Sequence, residues 1–429
     1  MIKKEFPNLQ ESYYEQRLEN GLLVRVIPKK GFAKQYAILA TDYGSIDTEF
    51  LKDGQRLKTP DGVAHYLEHK MFDLPEGNAM QAFSRLGASP NAFTSYTVTA
   101  YYVECTQNFE QNLSLLLRMV CTPYFTQESV EKERGIIAQE IKMYEDSPDS
   151  RVYENLFSAM YDTHPLRVPI AGTVDSIQSI TAQILTDCHK TFYDPSNMVL
   201  CVAGDVDPER VIALAESLTP ATAGTASRRF YGTAQPLERG FQQVQEQMEV
   251  SMPMFVVGFA CRPPEKGEQT LRTELLGDLA AELLAGESTP VYTRLYEQGL
   301  IDCDFSGGYE GVKGAGLLSF SGDSKDPQAV LAAILDEAQR LCQEGLDEAL
   351  FQRLKKSAMG RRTRSLDSFE SCCYRCCSSV FDGVEYYKFP EIYQSITLEE
   401  AAKFLSETVR AERAAISIIY PKETEEKQP

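Results

Sequence analysis

Two of the four histidines in this 429-residue chain stand in one short stretch, His65-Tyr66-Leu67-Glu68-His69. On a helix, His65 and His69 project from one face, one turn apart. Asp61-Gly62 supplies a start for that helix, and Val63, Ala64, Leu67, Met71 and Phe72 supply apolar packing. Two imidazoles so placed reach a single metal ion, for which Zn–N is about 2.0–2.1 Å. Glu68 lies beside them on the same face, where its carboxylate takes a proton from water that zinc acidifies to a pKa of about 7. The pattern inverts the commoner H-E-x-x-H zinc motif. The plainer reading is two histidines on an amphipathic surface helix. Histidine is so scarce here that a chance match is the weaker account.

A catalytic zinc usually takes three protein ligands and leaves a fourth position open. The best source of the third is Glu131-Lys132-Glu133-Arg134-Gly135-Ile136-Ile137-Ala138-Gln139-Glu140. Glu133 and Glu140 are two helical turns apart and share a face. One binds metal, and the other holds a histidine or the nucleophilic water from behind. By itself this spacing is weak, since a solvated helix face produces it too.

The rest of the chain reads as two α+β blocks. Each mixes helices with mainly antiparallel sheet. In the first block, strand patterns at Gly21–Ile27, Gln35–Asp42, Ala88–Tyr96, Thr97–Cys105 and Met198–Ala203 are interspersed with helical ones. Residues Leu218–Arg239 are rich in Ala, Gly, Thr and Pro and carry no helical stripe, which predicts a linker. The expected division is therefore a domain at 1–220, a linker at 221–240 and a domain at 241–429. The second block predicts a strand near Gln247–Phe259, a hairpin at Cys303–Gly308 and Gly314–Gly322, and a last strand at Ala415–Tyr420.

Composition narrows the function classes. Lys+Arg 43 against Asp+Glu 62 gives a net charge of −19, which argues against a general nucleic-acid or membrane-surface binder. There is no run of about 18 apolar residues for a membrane span, and no apolar stretch follows Lys3 and Lys4, so a cytoplasmic protein is expected. The 11 cysteines are odd in number and dispersed, so a disulfide framework is not expected. Cys372-Cys373-Tyr374-Arg375-Cys376-Cys377 forms two i,i+4 pairs on a helix. A thiolate metal site or redox switch is the sharper reading; small apolar packing is the commoner one.

The segment from Gly62 to Phe72 closely resembles the zinc motif of the pitrilysin/insulinase metallopeptidases, the inverzincins. Asn91-Ala92-Phe93-Thr94-Ser95 resembles that family's strand beside the active site. Glu133 through Glu140 resembles the helix with its third ligand. His164-Pro165 with Ile170-Ala171-Gly172-Thr173 resembles its HP…GT segment, and Tyr193 through Val206 the strand closing its first domain. The length is similar to that of the smaller members, two-domain half-clamshells that pair. The resemblance implies two homologous domains and Zn2+ held by His65, His69 and Glu140. It implies Glu68 as general base, Glu133 as the carboxylate behind a ligand, and Asn91 and Ala92 on an edge strand that captures an extended peptide.

The second half departs from the family pattern. Where the resemblance places an Arg and a Tyr that complete the active site, Tyr296 and Asp302 stand, with Arg294 nearby. A homologous zinc-less partner subunit supplying the Arg/Tyr pair is therefore expected, with a homodimer as the other arrangement. The function expected is a zinc-dependent endopeptidase that cleaves peptides, basic ones by charge, in an enclosed chamber. A non-hydrolytic peptide-binding or assembly subunit is the alternative, and a cysteine-based sensor a weaker third.

Overall fold

The structure is a computed structural model and describes residues 1–422 except Asp53, Thr222, Ala223, Thr225 and Ala226. Two compact units are present. The first comprises Met1–Ile141, Pro169–Tyr231 and Thr363–Tyr387; the second comprises Lys142–Val168, Gly232–Arg362 and the chain from Lys388. The units therefore interleave along the sequence, which one cut at 221–240 does not describe. Part of that predicted linker lies outside the described residues. Its middle is bound to the first unit: Arg229 bridges to Phe50, and the Leu51 and Phe230 amides pair with Arg228 and Glu49 carbonyls, whereas from Gly232 it belongs to the second.

The first unit is built on a seven-stranded sheet. Its strands are β1 (Ile2–Phe6), β2 (Glu11–Arg17), β3 (Leu23–Pro28), β4 (Gln35–Thr41), β5 (Ala88–Thr94), β6 (Thr99–Cys105) and β7 (Met198–Gly204). Their order is β1-β2-β3-β7-β4-β6-β5. Only β7 and β3 run parallel within it. The central strand β7, MVLCVAG, is buried throughout. Such a continuous apolar run needs cover on both faces. The hairpin β1–β2 extends the sheet beyond the sequence expectation. Its strands, IKKEF and ESYYEQR, are too charged to show an apolar alternation, and edge strands carry such charge readily.

The helices around this sheet include α1 (Val63–Lys70), α2 (Phe109–Cys121), α3 (Gln127–Glu145), α4 (Ala182–Phe192) and α5 (Phe369–Asp382). On one sheet face, Tyr101 of β6 meets the Tyr193 hydroxyl at 2.7 Å, and His189 of α4 stacks on the Tyr193 ring. On the other face Tyr102 packs near Tyr36 and Phe93, and α5 lies over β7 and β4. Arg25 ties that late segment down. It is 4% exposed, donates to Glu15 at 2.7 Å and to the Cys376 carbonyl at 2.9 Å, and lies 3.8 Å from Glu385. Removing one member of such a buried network strands a charge, at a cost of about 3–5 kcal/mol.

The second unit carries a five-stranded sheet of β8 (Gln242–Met248), β9 (Met254–Cys261), β10 (Ser306–Val312), β11 (Ala315–Asp323) and β12 (Ala414–Pro421). The order is β8-β12-β9-β11-β10, antiparallel except β8 with β12. One strand was expected near Gln247–Phe259; two are found, and Pro253, which has no N–H for a ladder, lies in the break. Phe255, Val257, Phe259, Leu318, Phe320, Ile416 and Ile418 build the core on one face. There helix Glu268–Ala285 approaches so closely that a Cβ on Gly277 would sit 2.4 Å from Tyr309 Cβ.

The four cysteines of α5 are buried and free. Cys372 Sγ lies 3.0 Å from the Tyr387 hydroxyl, and Cys377 Sγ points to the Val199 carbonyl at 3.8 Å. Burial pushes the Cys373 thiol well above its ordinary range. These side chains act as small apolar filler between helix and sheet. In an Ellman titration of native protein, exposed Cys303 and Cys342 should react first. Cys372, Cys373, Cys376 and Cys377 should react only on unfolding; fast labelling of α5, read by peptide mass mapping, would contradict this packing.

Candidate metal centre

Helix α1 is short and almost wholly buried. Val63, Ala64, Tyr66 and Leu67 turn into the core, and His65, Glu68 and His69 form the remaining face. Its start depends on a backbone contact. Gly62 has φ +89°, and a Cβ there would lie 2.4 Å from the Ala171 carbonyl oxygen. Gly172, at φ +74°, faces the Asp61 carbonyl in the same way, and Ser176 Oγ donates to that carbonyl at 2.9 Å. Two glycines thus let two backbones touch where side chains would separate them.

Helix α3 is fastened alongside. Tyr66 donates its hydroxyl to the Val130 carbonyl, and the buried Lys70 ammonium reaches the Ser129 carbonyl at 3.3 Å while pairing with Asp73. With the helices held there, Glu133 and Glu140 of α3 meet the histidines. His65 Nε2 lies 3.5 Å and His69 Nε2 3.2 Å from the two Glu140 oxygens. His69 Nδ1 lies 3.0 Å from Glu133 Oε1. His69 thus faces a carboxylate through each nitrogen: burial acts downward, but the Glu133 and Glu140 bonds raise its pKa to about 10, and loss of the Nε2 proton would free that lone pair for a metal while Nδ1 still donates to Glu133. Glu68 is 9% exposed and accepts from Thr94 Oγ1 at 2.8 Å.

The donor set fits a zinc ion. His65, His69 and Glu140 each offer one ligand atom, all within 4.8 Å of one another. Two imidazole nitrogens and one carboxylate oxygen match a three-ligand hydrolytic centre. Three carboxylates converge here on two imidazoles. Burial holds Glu68 above the ordinary carboxylate range, with the neighbouring Glu140 charge adding to the effect. Burial also acts upward on Glu133, but its bond to His69 outweighs that and holds it low. Among the described residues, the cysteines join no such converging group.

Asn91 and Ala92 lie on β5, the last strand of the sheet, paired on one side with Tyr102 and Tyr101 of β6. Asn91 is exposed and its Oδ1 accepts from the Ala92 amide at 2.9 Å. Tyr296 and Asp302 belong to the second unit, where Tyr296 is 54% exposed and stacks on Tyr292 at 6.2 Å. Thr94, the Tyr66 and Lys70 clamps and the Gly62–Gly172 contact have no signature in spacing, because each depends on segments far apart in the chain.

A His-His-Glu group that could hold a metal ion thus lies on a helix pair beside a mainly antiparallel sheet. Residues 50–174 match the family model described as insulinase (peptidase family M16), and residues 179–358 the one described as the peptidase M16 inactive domain. The protein named "Uncharacterized zinc protease YmfH" of Bacillus subtilis (strain 168) is 39% identical, over 98% of this chain and 100% of that one. An M16-like peptidase from Alicyclobacillus acidocaldarius has a TM-score of 0.92 at 33% identity, covering 98% of this chain and 100% of that chain. The periplasmic protease PqqL from Escherichia coli shares the fold at TM-score 0.75 and 20% identity; the match covers 95% of this chain but 47% of that one. The chain belongs to the insulinase family, M16.

The other two histidines are structural. His164 accepts from the Leu166 amide at 3.1 Å and contacts the Lys313 carbonyl at 2.8 Å through its other nitrogen. His189 donates to the Val120 carbonyl at 2.9 Å, and burial lowers its pKa from 6.5 to about 4. The unfolded chain therefore takes up this proton first as pH falls. The contribution is intact above about 6.5 and is lost as pH drops towards about 4. His189→Gln should flatten the fall in melting temperature across that window; an unchanged slope would refute the assignment.

Proposed function

We propose that this chain is a zinc-dependent endopeptidase subunit. The observation that carries the reading is the convergence of His65, His69 and Glu140 donors with the Glu68 carboxylate presented from the same helix face. In this reading His65, His69 and Glu140 hold the zinc. When bound, zinc polarises the scissile carbonyl and acidifies water. Glu68 takes the proton and passes it to the leaving amine. Glu133 orients His69. The open edge of β5, with Asn91 and Ala92, aligns an extended peptide by backbone hydrogen bonds.

The second unit supplies no comparable group among the described residues, and the match to an M16 inactive domain supports a non-metal role for much of that half. Tyr296 and Asp302 replace the expected Arg and Tyr. We therefore assign the missing electrophilic aid to a homologous zinc-less partner, with chamber closure depending on the pair. The longer PqqL chain, of which this fold spans about half, supports such pairing. The net charge of −19 favours basic peptides, and eleven free thiols suit a reducing, cytoplasmic setting. Among the described residues, no helix is long and apolar enough to cross a membrane.

The test combines metal analysis with peptide hydrolysis, for the chain alone and with its candidate partner. His65→Ala, His69→Ala and Glu140→Ala should lose zinc, and Glu133→Gln should weaken zinc affinity by about 10–100-fold. Glu68→Gln should keep zinc and lose at least about 100-fold in kcat. If Glu68→Gln and wild type behave alike in every combination, the peptidase reading fails; if neither hydrolyses peptides, the chain is a non-hydrolytic binding or assembly subunit instead.

A further inference from the structure

We infer that Thr94 is a positioning residue for the Glu68 carboxylate, linking the peptide-capturing strand to the proton-transfer step. The inference rests on the peptidase reading above and goes beyond it, because none of the roles assigned there requires the Thr94 hydroxyl.

The geometry is specific. Thr94 is the last residue of β5, and its Oγ1 donates to Glu68 Oε2 at 2.8 Å. A carboxylate on a flexible side chain samples several orientations, and a hydroxyl donor from a second element selects one. The bond occupies Oε2 and leaves Oε1 as the oxygen available for proton transfer. Asn91 and Ala92 lie on the same seven-residue strand, so the element that aligns a peptide also holds the base.

The donor itself is held from behind. The Ser95 amide donates to the Val98 carbonyl at 2.8 Å, and Ser95 Oγ accepts from the Val98 amide at 3.0 Å, closing a tight turn after Thr94. That turn is pinned to the 44–46 loop: the Ser45 amide meets the Ser95 carbonyl at 3.0 Å and the Ile46 amide meets the Tyr96 carbonyl at 3.1 Å. The approach is so close that a Cβ on Gly44 would lie 2.4 Å from Tyr96 and Thr97 backbone atoms. Thr94 also pairs with Thr99 of β6. The hydroxyl thus comes from a rigid backbone, which is what an orienting group needs.

The decisive variants are Thr94→Val, which keeps shape and removes the donor, and Thr94→Ser, which keeps the donor. Both are made in the full chain, reconstituted with zinc and assayed with the same partner combination as wild type. Thr94→Val should lower kcat by about 10–100-fold, the scale of a misplaced catalytic group. Its KM, zinc content and melting temperature should stay near wild type. Thr94→Ser should recover most of kcat. A peptide hydroxamate, which presents acidic protons to the base, gives a readout independent of turnover. By titration calorimetry it should bind Thr94→Val several-fold more weakly than wild type and Thr94→Ser about equally. Wild-type kcat and hydroxamate affinity in Thr94→Val would overturn the inference, as would equal defects in both variants. Glu68→Gln separates the two levels. If it is inactive while Thr94→Val is normal, only this inference falls. If it matches wild type, the peptidase reading itself falls.

Discussion

The centre is organised around an excess of negative charge in a partly buried place. Glu68, Glu133 and Glu140 crowd two imidazoles, and carboxylates so close repel one another unless positive charge is supplied. Protons on the histidines can supply some of it, and a divalent cation supplies more. Much nearby structure keeps this unfavourable arrangement from relaxing. The Gly62–Gly172 contact seats the start of α1, and Tyr66 and Lys70 fasten it to α3. Core packing by Val63, Ala64 and Leu67 leaves the helix no freedom to turn away. The metal affinity proposed here is thus prepared by folding energy spent elsewhere.

The local part of this design was legible in the sequence. The i,i+4 histidines, Glu68 between them and the two-turn spacing of Glu133 and Glu140 are helix-period facts, and the structure brings those side chains together. The α+β class was legible for the same reason, since strands such as MVLCVA announce themselves by composition. What escaped was non-local. Charged edge strands such as IKKEF hide their alternation. The Thr94 hydroxyl meets Glu68 only because β5 and α1 pack together. The interleaved units cannot be inferred from a composition change near residue 220, because such a change marks irregular backbone and not which sheet a later helix will cover.

The first sheet also separates two chemistries that the sequence offered side by side. The histidine–carboxylate cluster belongs to α1, which packs against β5 and β6, whereas the cysteine-rich α5 packs on β7 and β4 on the opposite face from Tyr101. The thiols are sealed among aromatic and aliphatic groups. The only converging donors found in the described residues belong to the imidazole and carboxylate group. The thiols and the imidazole–carboxylate group therefore lie apart in this fold.

The interleaving has a consequence for biosynthesis. One face of the seven-stranded sheet is covered by a helix encoded after residue 363, whereas β1 through β7 have all been made by residue 204. A ribosome thus displays a nearly finished sheet whose apolar side lacks its cover until much of the second unit has emerged. Over that interval the exposed strands are an aggregation hazard. Arg25 on that face lacks its Cys376 carbonyl partner until then. Completion of the first unit therefore waits for Thr363–Tyr387.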